Sequence, residues 1–303
     1  MITQRIFQIV KHKKKHKKMN NLCTLEQALA LGVGKCDPKA GAVEAFILSR
    51  TKKVLPAGAN AQSVIQGWLN DGSAIMLAGM KQRDPNNESP VTGSLAYGYE
   101  EQLRGAILQD NFVFPQGLCS QVGHANLVGF KGYALAITHN GQLHGFKGSV
   151  SGSVEMFPLS VTTMDTTGVF ADLANIQTDT LTLKYGELQN FVNRRSVTTP
   201  NVVISDFVNP IALELQGKSS ALQILDACMG EPINTEVANL EVMTSRVNGV
   251  DRPATITAGT NGNYVVAWTP ALTAGQTATL QLKWKDGENT AGISNLHSYV
   301  AGS

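Results

Sequence analysis

The sequence predicts a mainly β protein: a β-sandwich or open barrel with one or two short helices, plus a small immunoglobulin-like β lobe at the C-terminal end. Three observations lead there. Hydrophobic residues make up 43% of the 303 residues and charged ones only 16%, and Gly, Thr, Val, Asn and Ala fill most of the remainder, the balance of short strands joined by tight turns. Several segments alternate apolar and polar residues with the two-residue period of a strand that has one buried face. Asn-Gly pairs, which take positive φ readily, fall between such segments. The length exceeds the roughly 100–150 residues of a common single domain, so two β-domains or one large one with insertions are expected.

Taken in order, residues 20–31 (NNLCTLEQALAL) read as a short helix with Thr24 as N-cap, Gln27 completing a weak capping box and Gly32 as its stop. Cys36-Asp37-Pro38 is a turn, Val43–Leu48 the first strand, and Ala61–Asn70 a short helix inside a loop rich in Ala, Gly and Asn. Residues 81–94 (KQRDPNNESPVTGS) read as an exposed loop because turn residues outnumber hydrophobic ones. Tyr133–Thr138, Asn140-Gly141 and Leu143–Phe146 predict a hairpin with a type I′ turn. Thr178–Phe191 sets Leu181, Leu183 and Tyr185 against Thr180, Thr182 and Lys184, a strand with one buried face.

From Leu222 the pattern changes. LQILDACMG reads as a short helix ended by Gly230, followed by strands at Val237–Val247, Thr255–Ala258, Tyr264–Trp268 and Thr277–Trp284, with Asn-Gly turns at 248–249 and 261–262. Trp268, Leu280, Leu282 and Trp284 would close a small sandwich-like core of their own. The expected organisation is a basic leader over 1–18, a main β-domain over 19–232 and a C-terminal lobe over 233–303.

The net charge of +2 averages two different pieces. Residues 1–20 hold seven of the 25 Lys and Arg and none of the 23 Asp and Glu, which leaves 18 basic against 23 acidic residues, about −5, in the rest. The run KHKKKHKK has three readings: a lysine-rich stretch upstream of a true start at Met19, a solvated tail, or a nucleic-acid-binding arm that displaces counterions from phosphate. No apolar run approaches the ~18–20 residues of a membrane span, and Met1–Val10 is too short an apolar stretch for a secretory signal. The chain is therefore expected to be soluble, made in a cytoplasm and not associated with a membrane.

No catalytic, cofactor-binding or metal-binding residue emerges. The cysteines (Cys23, Cys36, Cys119, Cys228) lack a C-x-x-C pair, and the histidines (His12, His16, His124, His139, His144, His297) lack the spacing of zinc ligands. Cys119 and His124 are close in sequence, but a nucleophilic thiol needs a base placed in space, which sequence proximity does not supply. His139 and His144 flank the predicted hairpin turn and read as solvated. Leu31–Cys36 (LGVGKC) lacks the G-x₄-G-K-[ST] spacing of a phosphate loop, and no G-x-S-x-G elbow occurs. The expectation is a protein without enzymatic activity or cofactor.

Cys36-Asp37-Pro38, Gly41–Leu48, Tyr97-Gly98-Tyr99-Glu100 and the hairpin GYALAITHNGQLHGFKGS together resemble virion proteins of phages and prophages of Bacteroidetes bacteria, over about residues 20–150. Among these the chain looks most like a tail tube protein. That resemblance implies a β-sandwich or open barrel that self-associates into stacked, usually hexameric, rings around a channel through which DNA passes without specific contacts, alongside other virion proteins. A capsid decoration or head–tail connector protein is the alternative within the virion. A surface-binding β-module is the third reading; it is weakened because only 6% of residues are aromatic and Trp68, Trp268 and Trp284 fall in apolar patterns suited to a core.

Overall fold

The computed structural model describes residues 42–94, 100–115, 117–167, 177–260 and 262–301. The basic leader, the expected helix over 20–31, the Cys36-Asp37-Pro38 turn, Cys23, Cys36 and Asn261 lie outside them. The described chain is mainly β, built on antiparallel sheets, the first curled into a half-barrel.

The first lobe runs through β1 (Val43–Ser49), β2 (Val54–Leu55), α1 (Ala61–Asn70), β3 (Ile75–Ala78), β4 (Gln82–Pro85), β5 (Val91–Ser94), β6 (Glu100–Arg104) and β7 (Ile107–Pro115). It continues through α2 (Leu118–Leu127), β8 (Lys131–Thr138), β9 (Leu143–Lys147), β10 (Val154–Glu155), β11 (Phe157–Thr166), β12 (Thr178–Glu187), α3 (Leu188–Arg194) and β13 (Arg195–Thr198). Eleven of these strands form one sheet along the path β2-β10-β9-β8-β11-β12-β7-β4, with β1 between β8 and β3, and β13 on β9.

The sequence patterns explain how this sheet is covered. β1 and β8 are nearly continuous apolar runs because both of their faces are buried. Ala45, Ile47, Leu135 and Ile137 face a core closed by Ala61, Ile65 and Leu69 of α1. Phe46, Leu48, Ala134 and Ala136 face the inside of the curl, where they meet Phe112, Phe114, Leu181, Leu183 and Tyr185. Aromatic rings fill that interior: Phe46 lies edge-on to Phe112 at 5.2 Å, and Phe191 of α3 meets Phe157 at 5.2 Å and Phe146 at 5.3 Å. Such pairs contribute about 0.5–1.5 kcal/mol each beyond area burial. β12 shows strict alternation because only its inner face is covered.

The second lobe comprises β14 (Ile211–Lys218), β15 (Ala221–Asp226), β16 (Leu240–Val247), β17 (Val250–Asp251), β18 (Ala254–Ala258), β19 (Tyr264–Trp268), β20 (Thr277–Asp286), β21 (Asn289–Ser294) and β22 (His297–Val300). Its sheet has the order β17-β16-β20-β21-β14-β15-β19-β18, with β22 also on β20 and a parallel pairing between β14 and β21. Leu213, Leu215, Leu222, Ile224, Val266, Trp268, Leu280 and Leu282 make its core, and Trp284 packs half-buried against it.

Five expectations need correction. The expected helix over 222–230 is strand β15 followed by a turn, because Leu222 and Ile224 alternate into the second core while Ala221 and Gln223 face out. Consequently the boundary expected at 232/233 falls inside the second sheet; the cores part between Phe207, which packs with the first lobe, and Leu213, which packs with the second. Residues 81–94 are exposed as expected but contain β4 and β5, held by backbone pairing rather than burial. The strand expected to reach Phe191 ends at Glu187, where α3 starts. The β8–β9 hairpin exists, but its turn is not type I′: Gly141 alone takes positive φ (74°), and its N–H donates to Thr138 O at 2.9 Å. The second Asn-Gly pair does have both residues at positive φ, 51° at Asn248 and 80° at Gly249, between β16 and β17.

Candidate assembly surface

The covering of the first sheet is uneven. α1 screens the outer side of β1, β8 and β9, whereas farther along, over β11, β12, β7 and β4, the outer face carries no helix or second sheet among the described residues. Strand register sets what that face displays. One row across it is Thr163, Thr182, Asn111 and Asp84; the next is Asp165, Thr180, Val113 and Gln82. The side chains are short and bonded to one another: Thr163 Oγ1 donates to Thr182 Oγ1 at 2.8 Å, and Thr182 Oγ1 donates onward to Asn111 Oδ1 at 2.9 Å. Opposed threonines on a pleated face stabilise the pairing without any covering layer.

Two cations near this face share one carboxylate. Lys184 pairs with Glu88, and Arg104 reaches the same carboxylate at 3.1 Å. The hydrogen bond from Lys184 lowers the Glu88 pKa most, with Arg104 adding to it, so the carboxylate is ionised throughout the neutral range. The two rows themselves carry only Asp84 and Asp165 as charges.

Beside the face, β5 and β6 pair with each other and, among the described residues, with no other strand. Val91 is exposed there. A shallow groove of about 430 Å³ at the root of this hairpin is lined by Pro90, Gln102, Arg104, Glu187 and Gln189.

Inside the curl sits a polar group that the sequence did not announce. Arg83 of β4 bonds Asp110 of β7 at 2.8 Å. Burial first and the neighbouring Asp110 second push the Tyr185 hydroxyl well above its ordinary pKa, so it stays protonated. His144, expected to be solvated, is only 8% exposed, because pairing with Ala136 of β8 and Val197 of β13 turns it inward. An Arg195 N–H donates to its Nδ1 at 3.3 Å, so the ring is neutral with its proton on Nε2. Desolvation, and then the charges of Arg195 and Arg83, lower its pKa to about 4. These groups tie β4, β7, β9, β12 and β13 across the interior.

The remaining candidates separate. His124 Nδ1 donates to Asp179 Oδ2 at 2.8 Å, both side chains buried, which pins α2 to β12. Cys119 is not available as a nucleophile beside it, since its sulfur is bonded to Cys228. His139 is exposed, and His297 Nε2 lies 2.9 Å from Gly217 O. Among the described residues no group of three His, Cys, Asp or Glu is placed to hold a metal, and no helix is long and apolar enough to cross a membrane. Neither a protein-family model, nor a curated protein, nor a solved structure matches the chain.

Proposed function

We propose that the chain is a structural subunit of a bacteriophage particle, a tail tube protein that self-assembles into stacked rings around a DNA channel. The observation that supports this reading best is the uncovered hydroxyl- and amide-lined face of β11, β12, β7 and β4. A surface past which DNA slides should make few phosphate contacts, because each phosphate neutralised by a Lys or Arg adds counterion-release affinity. The two central rows of this face carry two acids and no base, and Lys184 at their side is paired with Glu88. The β5–β6 pair, which among the described residues joins neither large sheet, suits a subunit that reaches a neighbour through backbone pairing.

The test is negative-stain microscopy, with light scattering, of the purified protein across a concentration and salt series. The expected outcome is homo-oligomeric rings or tubes, hexameric in the favoured case, that do not retain duplex DNA at physiological salt. A strictly monomeric protein at high concentration sinks the proposal, and binding of single copies to preformed capsids would replace it with a decoration role.

A further inference from the structure

Two fastenings join the lobes. One is a row of side-chain amides on α1 at four-residue spacing: Gln62 and Gln66 hold the joining segment at Val203 and Val208, and Asn70 Oδ1 accepts from Thr290 N of β21 at 3.2 Å. The Ile293 side chain packs on the Gly72 backbone here, since a Cβ built on Gly72 would stand 2.9 Å from Ile293 Cδ1. The other is the disulfide Cys119–Cys228, which links the first turn of α2 to the turn after β15 across 109 residues of sequence.

Each half of the disulfide is built without the bond. On the first lobe, the His124–Asp179 contact fixes α2, and Gly117 N donates to Ser120 Oγ at 2.8 Å to shape its first turn. On the second, Asp226 Oδ1 accepts from the N–H groups of Cys228 and Met229, both at 2.8 Å, and Gly230 closes the turn with φ of 69°. The two Cα atoms stand 5.4 Å apart, within the range a disulfide spans. Cys119 is exposed and Cys228 half-buried, so small thiol reagents can reach the pair.

We propose that Cys119 and Cys228 form a redox-operated lock between the lobes. In a reducing compartment they are two thiols, and the amide row with the contact at Gly72 holds the lobes together without a covalent tie; on meeting a disulfide oxidant the lock closes. One cysteine thiolate attacks a sulfur of the oxidant, forming a mixed disulfide and releasing one thiolate. The second cysteine thiolate then displaces the remaining oxidant sulfur. Two electrons pass to the oxidant, which leaves as two thiols carrying the two cysteine protons. The lock does not depend on the assembly reading and holds whether or not the chain builds a tube.

The experiment uses the full chain in two states, one kept in excess dithiothreitol and one equilibrated with glutathione disulfide. Non-reducing peptide mass mapping reads the bond, and limited proteolysis of residues 199–210 reads how tightly the lobes are fastened. The expected result is a Cys119–Cys228 cross-link formed only with the oxidant, together with cleavage slowed about tenfold, as closing a local opening equilibrium does. Dithiothreitol should reverse both, and Cys119→Ser/Cys228→Ser should keep the fast rate in either reagent with an unchanged circular-dichroism spectrum. If that variant does not fold, the reduced and oxidised wild-type rates decide alone. Equal rates in the two states, no cross-link, or pairing of either residue with Cys23 or Cys36 would overturn the proposal.

Discussion

Gln66 holds Val208 by both edges of its amide: Val208 N donates to Oε1 at 3.0 Å and Nε2 donates to Val208 O at 3.1 Å. A side chain thereby supplies the donor–acceptor pair that a neighbouring strand would supply. Gln62 does the same for Val203, at 3.0 and 3.1 Å, one helical turn earlier, and Asn209 caps Met76 on the free edge of β3, at 3.3 and 3.1 Å. Among the described residues the segment between the lobes pairs with no strand, so these amides satisfy backbone groups that would otherwise be left to water.

Removing one of these clamps has a measurable consequence. Gln66→Ala deletes the two hydrogen bonds to Val208, at about 1 kcal/mol each, and a third to Asn70 Oδ1 that does not touch the segment, so local opening at Val208 should become easier by about 2 kcal/mol while the cores stay intact. Hydrogen exchange should show the Val208 amide exchanging about 30-fold faster, with Leu135 and Leu181 unaffected. Exchange at Val208 unchanged from wild type would show that burial of Phe207, not the amide, holds the segment.

His144 makes stability depend on pH. Its folded pKa, about 4, lies below the ordinary 6.5, so the unfolded chain binds the proton first. The stabilisation is complete above pH 6.5 and is lost as pH falls towards 4. Protonation would also set an N–H on Nδ1 against the Arg195 donor. The loss is about 2–3 kcal/mol, below the full conversion at 1.4 kcal/mol per pH unit because the arginine charges are partly screened by solvent. Urea midpoints between pH 7 and 4 should fall more steeply for the wild type than for His144→Gln, whose carboxylates titrate alike; parallel curves would remove His144 from the account.

How far the fold was legible depends on where each contact comes from. Alternation at Leu181, Leu183 and Tyr185, and the apolar run at Val43–Leu48, report burial of one face and of two, and both strands stand where the pattern puts them. Ala61–Asn70 is a helix with Asn60 as its cap, accepting from Ser63 N. LQILDACMG misleads because Leu222, Leu225 and Met229 have helical spacing, whereas pairing with β14 and β19 selects the alternate set. The Cys119–Cys228 bond has no local signal, its halves lying 109 residues apart in different lobes. Nor could the open polar face be read, since Thr163, Thr182 and Asn111 become a row only through the register of three strands. His144 is buried by β13, a partner some fifty residues away in the sequence.

The parting of the cores between Phe207 and Leu213 predicts where the chain can be cut. Ending it at Gly230 removes β16 to β22 but keeps β14 and β15, so Leu213, Leu215, Leu222 and Ile224, each at most 2% exposed, lose their cover. At about 1.5–3 kcal/mol for each large side chain returned to water, that remnant cannot hold its fold and should drive aggregation. Ending the chain at Asn209 instead keeps both first-lobe cores, the amide clamps on Val203 and Val208, and the cap on Met76. It gives up the Asn70–Thr290 bonds and the partner of Cys119, which is best replaced by Ser. The 1–209 chain carrying Cys119→Ser should be soluble and β-rich by circular dichroism, and light scattering after size exclusion should find it in the same oligomeric form as the full chain if the first lobe builds the assembly. The 1–230 chain should elute as aggregate or remain insoluble. Should 1–230 fold and 1–209 fail, β14 and β15 belong energetically to the first lobe, and the division of the two cores drawn here is wrong.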